Sequence, residues 1–135
     1  MKDNIESYIK ANNLTDNLKL IGFKENPYPY MKGTKICVMP SKVEGFGLSA
    51  VEMLALGKPV IASNVGGLKY IISNDCGKLI DGFSVDEYVE VYFRLIEPCA
   101  YKQKSQGALL TSKKFADTKR FVDNFVDIYV EALQC

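Results

Sequence analysis

Between Lys35 and Asp81 the chain alternates short apolar runs with helical stretches, and this alternation limits the folds open to it. "KICVMP" (Lys35–Pro40) is an apolar run closed by a proline. "LSAVEMLALG" places Val51, Leu54 and Ala55 on one helical face, with Gly57 suited to the position just past a helix end. "PVIAS" (Pro59–Ser63) opens on a proline and continues β-branched, as a buried parallel strand does. "NVGG" reads as a turn, "LKYIIS" as a short helix and "GKLID" as a short strand. Strands alternating with helices across short turns imply an α/β fold, a Rossmann-like parallel sheet flanked by helices on both faces.

The flanking segments extend this pattern. "NIESYIKANN" puts Ile5, Tyr8 and Ile9 on one helical face. "LKLIGF" (Leu18–Phe23) has the length and apolarity of a strand, and the prolines of "NPYPYMKG" allow no more than a turn or one helical turn. After Phe83 the pattern is helical throughout. Ser84 and Glu87 form an S-x-x-E capping box, and Val85, Tyr88, Val89, Tyr92, Phe93 and Ile96 supply an apolar face. A last helix is expected around Phe121, Phe125, Ile128, Tyr129 and Leu133. The expected organisation is a single partial domain over 1–135, with an α/β core at 1–83 and C-terminal helices at 84–135.

Bulk properties exclude several classes. At 135 residues the chain is about one domain's worth. A net charge of +1 gives no field that points to nucleic acid or a membrane surface. The basic cluster from Lys102 to Arg120 reads as a solvated helical face or, alternatively, a binding patch. Cys37, Cys76, Cys99 and Cys135 show no C-x-x-C spacing, and the chain has no histidine, which argues against a zinc site. Without histidine, any catalysis here rests on carboxylates, the backbone or another domain. No apolar leader follows Met1, and no run of about 18 apolar residues is present to span a membrane. A reduced, cytoplasmic chain is expected. Peripheral attachment of a full-length protein to a membrane stays open.

"EGFGLSAVE" (Glu44–Glu52) leaves a strand's carboxyl end and enters a helix, where sheets of this class bind ligands. Ser49 and Glu52 form a second S-x-x-E, so the helix is expected to start at Ser49. Its first-turn N–H groups and dipole attract an anion, phosphate above all. Gly45 and Gly47 leave room for a ligand to approach the backbone. Glu52 lies about one turn into the helix, roughly 5 Å along its axis from the start. Two carboxylates set on either side of a phosphate site suit a ligand shaped sugar–diphosphate–ribose–base. Other readings remain: Glu52 as a capping-box member, Glu44 as an acid favoured by the helix dipole, and the glycines as turn formers.

"PSKVEGFGLSAVEMLALGKPVIASNVGGLKYII" resembles the signature of retaining glycosyltransferases of family 4, the group 1 glycosyl transferases. The match runs over roughly Leu18–Asp81 and rests on E-x7-E (Glu44 to Glu52), the preceding PS, and the following GKPVIAS and GG loop. The resemblance implies the C-terminal, donor-binding half of a GT-B enzyme, incomplete at its N-terminus. It implies that Glu44 touches the donor sugar's hydroxyls and serves as the catalytic-site glutamate. Glu52 would hold the ribose hydroxyls, and the backbone of Gly45, Phe46, Gly47 and Leu48 would lie against sugar and diphosphate. It implies a UDP- or GDP-linked sugar as donor, no cofactor, no dependence on a D-x-D-bound metal, and an N-terminal acceptor domain as partner. The sequence has no D-x-D.

Ser49 stands where many relatives have proline. The resemblance implies that the family's strand–loop–helix unit with its diphosphate-binding basic residues lies ahead of the stretch matched here. Lys32, Lys42 and Lys58 are candidates only by nearness in sequence. The expected activity is retaining hexosyl transfer to an unknown acceptor, with the chain inactive by itself. The alternative is a non-catalytic α/β module that binds a nucleotide or phosphate, or serves only in interactions.

Overall fold

The computed structural model describes residues 2–115. The last expected helix, Phe121–Leu133, and Cys135 lie outside them.

The elements run α1 (Lys2–Ala11), α2 (Tyr28–Lys32), β1 (Cys37–Met39), α3 (Leu48–Ala55), β2 (Val60–Ser63), α4 (Leu68–Ile71), β3 (Gly77–Ile80), α5 (Val85–Ile96) and α6 (Pro98–Lys113). The three strands form one parallel sheet in the order β1-β2-β3, with Cys37 opposite Val60 and Val60 opposite Gly77. Side chains alternate across a strand, so β2 faces two cores. Val60 and Ala62 join Ala50, Met53 and Leu54 of α3, Leu68 and Ile71 of α4, and Ala108 of α6. Ile61 turns the other way and packs with Ile80, Val91 and Leu95 beneath α5. All four residues of β2 are buried. Helices therefore cover both faces, as the alternation required. Among the described residues, no helix is long and apolar enough to cross a membrane.

Three local expectations need correcting. Leu18–Phe23 forms no strand, and Phe23 is 90% exposed. A strand needs a ladder partner. Among the described residues β1 is bonded to β2 alone, and this segment is not paired with its other edge.

The apolar face expected on α5 is not the buried one. Val91 and Leu95 are buried and Tyr88 packs beside them, whereas Val85, Val89, Tyr92 and Phe93 are exposed. These four, with Val38, Pro40, Phe83 and Tyr88, line an open groove of about 540 Å³. Ser84 does cap the helix, its Oγ accepting from the Glu87 amide at 3.4 Å.

The third correction concerns α3. It begins at Leu48, with Gly47 as its N-cap in the left-handed region at φ +95°, and no side-chain cap bond is formed. Ser49 is then the second helical residue, past the position from which a hydroxyl caps. The Ser49–Glu52 capping box does not form, and Glu52 is left available for other partners.

Candidate functional site

The loop between β1 and α3 carries Glu44 and rests on the loop after β2, and Glu52 follows within α3. The contact is backbone on backbone. The Gly67 amide donates to the Gly45 carbonyl at 2.9 Å. A Cβ on Gly66 would lie 1.7 Å from the Glu44 carbonyl oxygen, and one on Gly67 would lie 2.2 Å from that of Phe46. No side chain fits at either position, so "NVGG" is the bed on which "EGFG" lies. The bed is itself fixed. The Asn64 amide donates to the Ile80 carbonyl at 2.8 Å, the Asn64 side chain donates to Asp81 at 2.8 Å, and Ser63 Oγ lies 2.8 Å from Tyr88 Oη.

The two glycines of the turn differ in purpose. Gly45 is exposed, and a Cβ there would meet nothing within 4 Å, so its backbone is open to a ligand. Gly47 is buried, and a Cβ would lie 2.9 Å from Leu68 Cδ2. It is required by its positive φ and by packing against α4 rather than by ligand approach.

At the head of α3, the Gly47 carbonyl accepts from Ala50 at 2.9 Å and Val51 at 3.3 Å. The amides of Leu48 and Ser49 precede that first helical bond and carry the positive end of the helix dipole. Glu44 is half-buried just before the turn. Glu52, also half-buried, lies about 6 Å along the axis from Leu48 at about 1.5 Å per residue. Phe46 and Leu48 are exposed, and the Phe46 ring meets Phe115 edge-on at 6.1 Å between centroids. The carboxyl ends of β1 and β2 thus bring together Glu44, Gly45, Phe46, Gly47, Leu48 and Glu52.

The lysines do not gather so closely. Lys58 lies two residues before β2, at the amino end of the sheet and away from the turn. Lys32 is exposed in the last turn of α2. Lys42 alone shares the loop with Glu44, and it is exposed. Among the described residues, no group of three or more His, Cys, Asp or Glu could hold a metal ion.

Sequence reasoning missed Tyr28, whose phenol reaches Glu52 Oε1 at 3.5 Å. It also missed Phe115, which lies beyond any motif. The two prolines around Tyr28 were the available signal, since they restrict the segment to a single turn with a fixed direction.

The geometry can be set beside known proteins. The sequence profile described as "Glycosyl transferases group 1" matches residues 1–103. A D-inositol 3-phosphate glycosyltransferase of Nocardiopsis dassonvillei is 34% identical over 107 residues, covering 78% of this chain and 25% of the relative. Sucrose-phosphate synthase from Thermosynechococcus elongatus superposes with a TM-score of 0.83 at 26% identity, covering 97% of this chain and 34% of that one. Anabaena HepE, solved in complex with UDP, superposes with a TM-score of 0.85 at 20% identity, covering 96% of this chain and 36% of that one. These neighbours are GT-B glycosyltransferases, and at this identity HepE speaks for the fold alone. The chain spans about a quarter of the length of the curated relatives it matches. A match over 103 residues of 135, on a parallel α/β sheet with "EGFG" at its carboxyl edge, means that the chain belongs to the group 1 glycosyl transferases.

Proposed function

We propose that this chain is the donor-binding portion of a retaining glycosyltransferase of family 4, holding a nucleotide diphosphate sugar. One observation carries the reading: two half-buried glutamates stand on either side of the α3 N-terminus, with the open backbone of Gly45 beside the first. The positive helix end and the free amides of Leu48 and Ser49 suit the diphosphate. Glu44, ahead of the turn, accepts hydrogen bonds from hydroxyls of the donor sugar, a hexose. Glu52, one turn up the helix, accepts from those of the ribose. Phe46, Gly47 and Leu48 form the floor between the two ends.

The role of Glu44 is to orient the sugar at the reacting carbon, so that binding strength is converted into position. The diphosphate leaves against the helix N-terminus, where its developing charge is stabilised by dipoles already in place. We assign no metal and no cofactor to this step. UDP is the first nucleotide to try, because HepE was solved with it, and GDP is the second. In this reading the α/β part that precedes Ser84 is the donor core, and α5 and α6 are the helices that follow it. Acceptor binding belongs to a separate N-terminal domain. Cytoplasmic residence suits a nucleotide-sugar donor.

The test is Glu44→Ala. If Glu44 reads the sugar, the unaltered chain binds a nucleotide sugar more tightly than the bare nucleotide, and the variant loses that preference while keeping the nucleotide. A chain that holds both equally, with Glu44→Ala making no difference, is a nucleotide-binding module and not a donor site.

A further inference from the structure

Tyr28 and Glu52 are 24 residues apart in sequence, on separate helices, yet the Tyr28 phenol reaches Glu52 Oε1 at 3.5 Å. The contact is built from both sides. On the Tyr28 side, Asn26 Oδ1 accepts from the Tyr28 amide at 3.2 Å and turns the chain into α2. Pro27 sits at the N-cap with φ −79°, and Pro29 stiffens the single turn that follows. Met31, one turn after Tyr28, packs against the core formed by α3, β2 and α4, which docks the short helix. On the Glu52 side, the expected capping partner Ser49 is out of play because α3 begins at Leu48.

A carboxylate has two oxygens and about four acceptor positions. A phenol on Oε1 leaves Oε2 and the remaining lone pairs of Oε1 for a ligand. A contact at Oε1 narrows the orientations open to the carboxylate, so less conformational freedom is lost when a ligand binds. We infer that Tyr28 is a positioning residue: its hydroxyl fixes the Glu52 carboxylate to receive the hydroxyls of a ribose, and it thereby sets the preference for ribonucleotides over deoxyribonucleotides. The inference rests on the donor-site reading above.

The experiment is calorimetric titration of the 135-residue chain with UDP, GDP and ADP, each beside its 2′-deoxy counterpart. The same titrations are run on Tyr28→Phe, Tyr28→Ala, Glu52→Gln and the Tyr28→Phe/Glu52→Gln double variant. Tyr28 is 49% exposed, and Tyr28→Phe removes one oxygen only, so the fold is retained. The unaltered chain should prefer the ribonucleotide about tenfold, the effect of one hydrogen bond to a charged acceptor. Tyr28→Phe should bring that ratio close to unity and act mainly on the ribonucleotide. Tyr28→Ala should lower the ratio no further. Glu52→Gln should abolish the preference, with Tyr28→Phe adding nothing on top, the non-additivity of two groups acting through one contact.

A Tyr28→Phe variant with an unchanged ratio, or with equal losses for both nucleotides, overturns the inference and leaves the donor site standing. A wild-type chain that binds both sugars of the nucleotide equally removes the ribose role of Glu52 and the inference with it. A wild-type chain that binds no nucleotide overturns the donor-site reading itself.

Discussion

At Gly67 a methyl group would have to enter the space of two carbonyl oxygens, those of Phe46 at 2.2 Å and Gly45 at 2.6 Å. Backbone cannot rotate away as a side chain can, so Gly67→Ala must separate the two loops. The expected cost is about 1–3 kcal/mol or more, read as a lower midpoint in urea, together with changed amide shifts throughout Gly45–Leu48. A variant with unaltered stability and shifts contradicts the contact. Cys37 gives a second residue-scale prediction. Burial pushes its thiol up to about 11, whereas Cys99 is exposed. At pH 8, mass spectrometry should find Cys99 alkylated well before Cys37, because the thiolate is the reacting form. The same shift fixes the sign of a stability effect. The unfolded thiol ionises near 9 and the folded one near 11, so this group's contribution is present below about 9 and is lost as the pH rises to 11. At this scale the residue types were readable and some of their reasons were not. "EGFG" marks the turn in the sequence, but only the positive φ of Gly47 and its contact with Leu68 show why the second glycine is there. Tyr28 could not have been found from spacing, because its partner is reached through the docking of α2.

Among the elements, α5 shows how periodicity can fail. It has Val85, Tyr88, Val89, Val91, Tyr92, Phe93, Leu95 and Ile96 in one 12-residue helix, so apolar residues run most of the way round and two faces compete. Packing against Ile61 and Ile80 selects the face of Tyr88, Val91 and Leu95. Leu95→Ala should therefore cost about 2–5 kcal/mol, the range for emptying a buried leucine site. Phe93→Ala should stay within about 0.5 kcal/mol, as surface changes do. Equal losses in thermal or urea melts would show that the outer face is also covered. The strand expected at Leu18–Phe23 fails for a related reason: apolarity marks a segment that could pair, and pairing depends on a neighbour that composition does not reveal. Elements whose partners lie close in sequence read correctly. β1, β2 and β3 all fall inside the expected runs, and Ser84 caps α5 as its spacing with Glu87 required.

Over the whole molecule, β2 is the shared wall of two cores, and the candidate site lies on the edge where β1 and β2 end. Parallel order places the open amides of α3 and both glutamates at one edge, which is why a stretch of nine residues, turn and first helical residues together, told more about function than the rest of the chain. The stretch matched to curated relatives amounts to about a quarter of their length, and in the proposed function acceptor binding lies in a separate domain. The 135-residue chain should accordingly bind donor without transferring sugar to water or to an added acceptor. Detectable transfer by this chain alone would contradict that division of labour. The central claim is that Glu44–Glu52 is a donor site, and a backbone amide NMR titration with UDP, GDP and ADP, then with their sugars, tests it most directly. One nucleotide should shift Gly45 to Glu52 with the loop at Gly66 and Gly67, and its sugar should extend the shifts to Glu44. Amides in that turn unmoved by every nucleotide at millimolar concentration would contradict it.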